Sequence, residues 1–304
     1  MIGLERKACD RRECRLRQSK LCTPSWTPPT FTFDSLSLLI SVIIRTQFLK
    51  YGYTETMDIK NKVALVTGGA HRVGKAITLM LASAGADVII NYHTSAAQAE
   101  ATAEEVRALG AKVLAIQADI SDYAQVKAMV GQVKVWFGGI DILVNSADRW
   151  EKSPFPNEDI GPWERIISTG INGPYYVSNA FAPTILERGG GAIVNIVDLS
   201  AWEAWPNFTA HAVSKSALLA MTRQFAVELG PTIRVNAVAP GPVLPPSDYS
   251  QELIERTAAR TLLNRWGSAE DVAQAVKFLI EANYITGDTI RVDGGEHYGH
   301  RKHG

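Results

Sequence analysis

Val63-Ala64-Leu65-Val66-Thr67-Gly68-Gly69-Ala70-His71-Arg72-Val73-Gly74 is the stretch that decides the fold of this chain. Its first five residues are apolar or β-branched and read as a strand, the glycines end that strand, and Val73-Gly74-Lys75-Ala76-Ile77 opens a helix. A strand, a glycine turn and a helix in that order aim helix N-terminal amides and the positive end of the helix dipole at one point. A pyrophosphate binds there. The plainer reading is that Gly68 and Gly69 only close a tight turn.

Outward from this turn, short apolar runs alternate with longer helical stretches, the pattern of parallel strands joined by crossover helices. Strands are expected at Val63 to Thr67, Asp87 to Asn91, Lys112 to Gln117, Ile140 to Val144, Ala192 to Val197, Ile233 to Val238 and Thr289 to Val292. Helices are expected to open near Gly74, Ser95, Asp122, Trp163, His211 and Glu270. The fold class is therefore α/β, a single domain with a seven-stranded, doubly wound parallel sheet and helices on both faces. Ligands of such sheets bind at the carboxyl ends of the strands, where strand order reverses.

Composition narrows the partners. The chain has 304 residues, 46% of them hydrophobic, and 31 basic residues balance 31 acidic ones. That balance favours a small-molecule substrate over nucleic acid or a membrane surface. All three cysteines (Cys9, Cys14 and Cys22) precede the domain, which leaves it without a disulfide or a thiolate metal site and points to a reducing, cytoplasmic setting. The apolar run Leu36 to Ile44 is far shorter than the roughly 20 residues that span a bilayer. Residues 1–56 are rich in arginine and proline and lack periodicity. They are expected to be an extension that is either loosely ordered or upstream of the true start at Met57, with the domain at 57–296 and a tail at 297–304. His297, His300 and His303 in that tail are read as solvated, and no metal site is expected.

After the second expected strand comes Asn91-Tyr92-His93-Thr94-Ser95, without the acidic residue that would hold an adenosine ribose 2′-hydroxyl. Arg72, His93, Thr94 and Ser95 instead supply a cation and hydroxyl donors suited to a 2′-phosphate, so the expected cofactor is NADP(H); Ser95 is also a candidate helix cap.

The turn Thr67-Gly68-Gly69-Ala70-His71-Arg72-Val73-Gly74 resembles the Thr-Gly-x-x-x-Gly-x-Gly turn of the short-chain dehydrogenase/reductase family, with Arg72 at the second glycine. That arginine is similar to the pteridine reductase branch. The resemblance runs through residues 60 to 296 and implies a Rossmann-type domain. It implies cofactor contacts from Gly68, His71, Arg72, Val73 and Gly74, from His93, Thr94 and Ser95, and from Asp119 and Ile120 at the adenine. Asn145-Ser146-Ala147-Asp148 stands for the family's Asn-Asn-Ala-Gly, and Pro240-Gly241-Pro242-Val243 for the loop that borders the nicotinamide. Ile285-Thr286-Gly287 and Val292-Asp293-Gly294-Gly295 match the family's C-terminal signature. The family's assembly implies a homotetramer or homodimer.

The family's chemistry rests on an Asn, a Ser, a Tyr and a Lys. Tyr-x-x-x-Lys reads His211-Ala212-Val213-Ser214-Lys215 here, so the lysine is kept and the tyrosine is histidine. The serine position, thirteen residues earlier, is Asp198, as in pteridine reductases; the asparagine position is Gly170. Ser200 reads as a cap or loop hydroxyl. The catalytic residues implied are Asp198 and His211 as proton donors and Lys215 as ribose anchor. Lys215 disfavours a charged imidazole and Asp198 favours it, so geometry decides which wins.

Trp150, Tyr176, Trp202 and Trp205, with Phe208, are expected to form an aromatic substrate pocket, and residues 242–256 a variable substrate loop. The expected activity is hydride transfer to a C=N or C=O bond of a small, aromatic or pterin-like substrate. Reduction of a 3-oxoacyl thioester and cofactor binding without catalysis remain alternatives.

Overall fold

The computed structural model describes residues 56–246 and 249–301, which belong to one compact unit. The expected extension falls almost wholly on residues outside these, as do Ser247, Asp248 and His303. Seven parallel strands form one sheet in the order β3-β2-β1-β4-β5-β6-β7. They are β1 (Val63–Thr67), β2 (Asp87–Tyr92), β3 (Val113–Gln117), β4 (Ile142–Asn145), β5 (Gly191–Ile196), β6 (Ile233–Pro240) and β7 (Thr289–Val292). The chain moves to one side of β1 and then to the other, so the strand order reverses between β1 and β4.

Helices α1 (Arg72–Ser83), α2 (Ala96–Ala108) and α8 (Ala269–Glu281) belong with one buried cluster, which includes Ile77, Leu81, Val106, Val276 and Leu279. Helices α3 (Tyr123–Phe137) and α5 (Gly173–Glu187) supply the other, which includes Met129, Val133, Phe181 and Ile185. Strand residues alternate between the two: Ala64 and Val66 join the first, Val63 and Leu65 the second. Both faces of β1 are therefore buried, which explains its unbroken apolar run. The short α4 (Gly161–Ile167) packs against α6 (Thr209–Leu229), which packs against β6.

Several elements went unread in the sequence, among them the short 3₁₀ turns Leu199–Ala201 and Glu296–Arg301. One π-type turn, Ser168–Asn172, joins α4 to α5. Helix α7 (Gln251–Arg260) occupies part of the expected substrate loop, capped by the Ser250 hydroxyl, which accepts from Leu253 N at 3.3 Å. Leu253, Ile254, Thr257 and Ala258 form its inward face and the remaining residues are exposed and mostly polar.

The glycines of the first turn are required by contact. A Cβ on Gly74 would lie 2.1 Å from the Gly68 carbonyl oxygen, and Gly68 has a φ of +63° with its own missing Cβ directed at Ala147. Gly74→Ala must push α1 away from β1. Overpacking of this kind costs about 1–3 kcal/mol, so thermal unfolding of the variant is expected to occur roughly 3–10 °C below wild type.

Candidate active site

A cleft of about 1810 Å³ lies along the carboxyl ends of the strands, large enough for a dinucleotide and a substrate together. Its floor is the first turn. His71 is the residue before α1, no side chain caps that helix, and no acidic residue stands in its first turn, so the leading amides are left for an anion. The fit of a dinucleotide pyrophosphate thus rests on a cradle from which side chains are sterically excluded. Gly68, His71, Arg72, Val73 and Gly74 all line the cleft.

Arg72 has a φ of +54°, a left-handed conformation that a glycine would adopt with less strain. Its guanidinium donates to the carbonyl of Leu244 at 3.2 Å, which ties the turn to the loop after β6. His93, Thr94 and Ser95 line the cleft beyond β2. The His93 imidazole lies 3.8 Å from the Asp119 carboxylate, and Asp119 also accepts from Ser121 N and Oγ. Ser95 occupies the cap position of α2 but makes no capping hydrogen bond, so the expected cap is not formed.

The exit of β4 is pinned to β1. Thr67 Oγ1 accepts from Ser146 N at 3.0 Å and Ala147 N at 3.1 Å, which places those two residues in the cleft with Ile120, Pro240, Gly241 and Val243. Asn145 is a correction. Its side chain is buried, donates to Ser178 Oγ and Asn195 Oδ1, and holds β4 to β5 beneath the cleft.

The reacting end is a network of four charged or titratable side chains. Asp198 Oδ2 is 2.6 Å from His211 Nε2, while Asp198 Oδ1 accepts from Ser200 N and, at 2.5 Å, from Ser200 Oγ. Lys215 Nζ is 3.1 Å from Asp148 Oδ2 and donates to the Ile196 carbonyl at 3.1 Å. His211 Nδ1 faces Asp148 Oδ2 at 3.7 Å and has no hydrogen-bond partner. Burial pushes the Asp198 carboxyl up, but the His211 hydrogen bond and the nearby Lys215 ammonium outweigh it and hold the group below the usual carboxylate range. Burial likewise pushes Lys215 down, and the charges of Asp148 and then Asp198 reverse this, leaving it above the usual lysine range.

These contacts correct the expected roles. His211 is wholly buried and is enclosed by Asp198 and by the rings of Trp150, 4.7 Å away and edge-on, and Trp205, 6.0 Å away and stacked. It does not line the cleft; Asp198, Asp148 and Lys215 do. Asp198, held ionised, accepts hydrogen bonds at neutral pH and is no acid there until a proton reaches it. Asp148 was noticed in the sequence only as a departure from glycine. Its partnership with Lys215 needs the fold to become visible.

Gly170 leaves no room for the absent asparagine. A Cβ there would lie 2.9 Å from both Cβ and Oγ of Ser214 on α6.

The aromatic pocket is smaller than expected. Trp150 stacks on Phe208 at 4.5 Å and meets Trp205 edge-on at 6.1 Å. Ser153 fixes this grouping: its N donates to Asn207 O, its carbonyl accepts from Thr209 N and its hydroxyl from Ala210 N, binding the loop after β4 to the start of α6. Tyr176 instead packs on Tyr123 at 5.1 Å, against the core. Trp202 lies outside the cleft, 43% exposed, with the Arg291 guanidinium 4.4 Å over its ring. His297 is also a correction: it pairs with the Asp293 carboxylate and lines the cleft with Glu296 rather than forming part of a solvated tail. Among the described residues no group of three or more His, Cys, Asp or Glu side chains is arranged for a metal ion, and no helix is long and apolar enough to cross a membrane.

Fold and cleft together define a dinucleotide-binding oxidoreductase domain. A family model described as Enoyl-(Acyl carrier protein) reductase matches residues 68–297. A 3-oxoacyl-(acyl-carrier-protein) reductase of Staphylococcus aureus is 36% identical over 241 residues, spanning 77% of this chain and 97% of the relative. One from Thermotoga maritima is 35% identical, over 79% and 99%. Among solved structures, a short-chain dehydrogenase/reductase of Serratia marcescens superposes with a TM-score of 0.74 at 35% identity, over 79% of this chain and 99% of that one. A blue fluorescent protein from a metagenomic library, in complex with NADPH, gives 0.73 at 35% over the same shares. The chain belongs to the short-chain dehydrogenase/reductase family.

Because the Asp198 carboxyl is lowered by folding, its stabilisation is complete above the unfolded value of about 3.9 and is lost as pH falls through the lower folded value. Asp198→Asn is expected to cost about 1.5–3 kcal/mol at pH 6, and the gap from wild type to narrow below pH 4 in urea unfolding. A gap that stays constant with pH would contradict this account.

Proposed function

We propose that this protein is an NADPH-dependent reductase that delivers hydride to a C=N or C=O bond of a small, flat, aromatic or pterin-like substrate. The observation that carries the reading is the wall in which the Asp198 carboxylate meets the rings of Trp150, Trp205 and Phe208, where ketone reductases of the family rely on hydroxyl donors. A bound NADPH supplies the hydride. The first turn holds its pyrophosphate, Arg72 and the His93-Thr94-Ser95 segment meet its 2′-phosphate, and Pro240 to Val243 border its nicotinamide.

Asp198 is the residue that touches substrate. His211 acts through it: a proton that passes from Asp198 to a substrate nitrogen or oxygen is replaced from His211 Nε2, while Lys215 and Asp148 hold the charge of the pair. Lys215 serves the ribose only as far as Asp148 shares it. The setting is a reducing cytoplasm, with assembly as a homodimer or homotetramer.

The names of the curated relatives favour a second reading, reduction of a 3-oxoacyl thioester. Against it stand Asp198, His211 and Gly170 in place of the three residues that activate such a carbonyl. Loss of all three equally suits a third reading, NADP(H) binding without turnover.

NADPH oxidation by the full-length chain against dihydropterin, quinone and 3-oxoacyl panels separates the three, with dihydropterin expected to be the best acceptor. His211→Ala removes the group that returns a proton to Asp198, so the alkaline limb of the pH–rate profile is expected to move to lower pH. An unmoved limb argues against the relay. In thermal shifts at matched concentration, NADPH is expected to stabilise the protein more than NADH; equal shifts would refute the cofactor assignment.

A further inference from the structure

The acceptor's charge can be read from the same wall. Two carboxylates, Asp148 and Asp198, share one buried ammonium, Lys215, and Asp198 is already spoken for by His211 and Ser200 on its inner side. Asp148 and Asp198 keep 26% and 16% of their side chains exposed, whereas Lys215 keeps 6%, so what the cleft meets there is negative. Glu203, exposed on the wall of the same cleft and near enough to Glu296 to push that carboxyl up, is a further carboxylate there. The same spot is bounded by the indoles of Trp150, which meets the His211 ring edge-on and stacks on Phe208, and of Trp205, which stacks on His211. Indole faces and carboxylates attract a cation together. The arginines that also line the cleft do not cancel this: Arg260 is paired with Glu296 at 2.8 Å, Arg72 with the Leu244 carbonyl, Arg149 acts on Glu151, and Arg256 is exposed on α7.

A neutral ketone develops negative charge on oxygen as hydride arrives, and an ionised carboxylate beside that oxygen opposes it. An iminium does the reverse, because hydride transfer discharges it. We infer that the acceptor this cleft takes is a cation, an iminium or protonated cyclic imine carried on an aromatic ring, recognised by Asp198, Asp148 and Glu203 with the indoles of Trp150 and Trp205; the inference rests on the reductase reading above. The iminium carbon accepts the hydride from NADPH, the C=N π pair becomes the nitrogen lone pair, and NADP⁺ and a neutral amine leave. A permanently alkylated iminium consumes no proton, so neither a tyrosine nor an acidic histidine is needed.

The test compares an N-methyl dihydroisoquinolinium salt with α-tetralone, a neutral ketone of the same shape, in NADPH oxidation by the full-length chain. The iminium is expected to be favoured in kcat/KM by about 100-fold, and Asp198→Asn to lower its kcat/KM by at least about 10-fold. Glu203→Gln, at an exposed position that does not threaten folding, is expected to raise the KM for the iminium by about threefold. Without cofactor, protonated N-methyl tetrahydroisoquinoline is expected to quench tryptophan fluorescence where tetralin does not. Equal or better reduction of the ketone overturns the cationic acceptor and leaves the reductase reading in place, as does reduction of a neutral panel substrate with no reduction of the iminium. Absence of hydride transfer to every acceptor overturns both.

Discussion

Everything at the carboxyl edge of this sheet depends on how closely helix α1 can approach strand β1. Gly74 sits so near the Gly68 carbonyl that any side chain would collide with it, and Gly68 in turn lies against the backbone of Ala147. Through the Thr67 hydroxyl the same strand end holds Ser146 and Ala147. One contact therefore sets the anion cradle, the course of the chain beyond β4 and the place where Asp148 and Trp150 emerge. A fold in which strand order reverses at this point has a cleft there for topological reasons, and the glycines determine how deep it is.

Onto that frame the chain places charges that a buried site tolerates only as a set. Asp198, His211, Lys215 and Asp148 satisfy one another within hydrogen-bond or ion-pair distance, and removing one would leave its partner charged and poorly solvated. The family's usual glycine after Asn-Ser-Ala would offer Lys215 no anion. Asp148 does, and its presence accompanies the replacement of the two hydroxyl residues by Asp198 and His211. The substitutions make sense as one electrostatic rearrangement rather than as separate losses.

The sheet was legible in the sequence because parallel strands covered on both faces must be apolar throughout, and all seven are found within a few residues of their expected limits. The glycine turn was legible because its constraint is local. What escaped depends on direction in space. Asn145 and Tyr176 are near the site in sequence, yet their side chains turn into the core, and Trp202, three residues from Trp205, leaves the cleft for Arg291. Spacing placed His211 beside Lys215 on α6, but only packing against Trp150 and Trp205 puts Asp198 between it and the cleft. Helix α7 was missed although Leu253, Ile254, Thr257 and Ala258 recur at helical spacing, because the family resemblance marked that stretch as a loop.

The bond from Arg72 to the Leu244 carbonyl joins the glycine turn to the loop after β6. A phosphate that draws the guanidinium toward itself competes with that carbonyl, and a substrate that moves the loop alters the guanidinium's freedom. Linkage makes the two effects equal in free energy: whatever factor the cofactor applies to substrate affinity, the substrate applies to cofactor affinity. The arginine that departs from the family's glycine thus couples in free energy any ligand held by the turn to any ligand held by the loop.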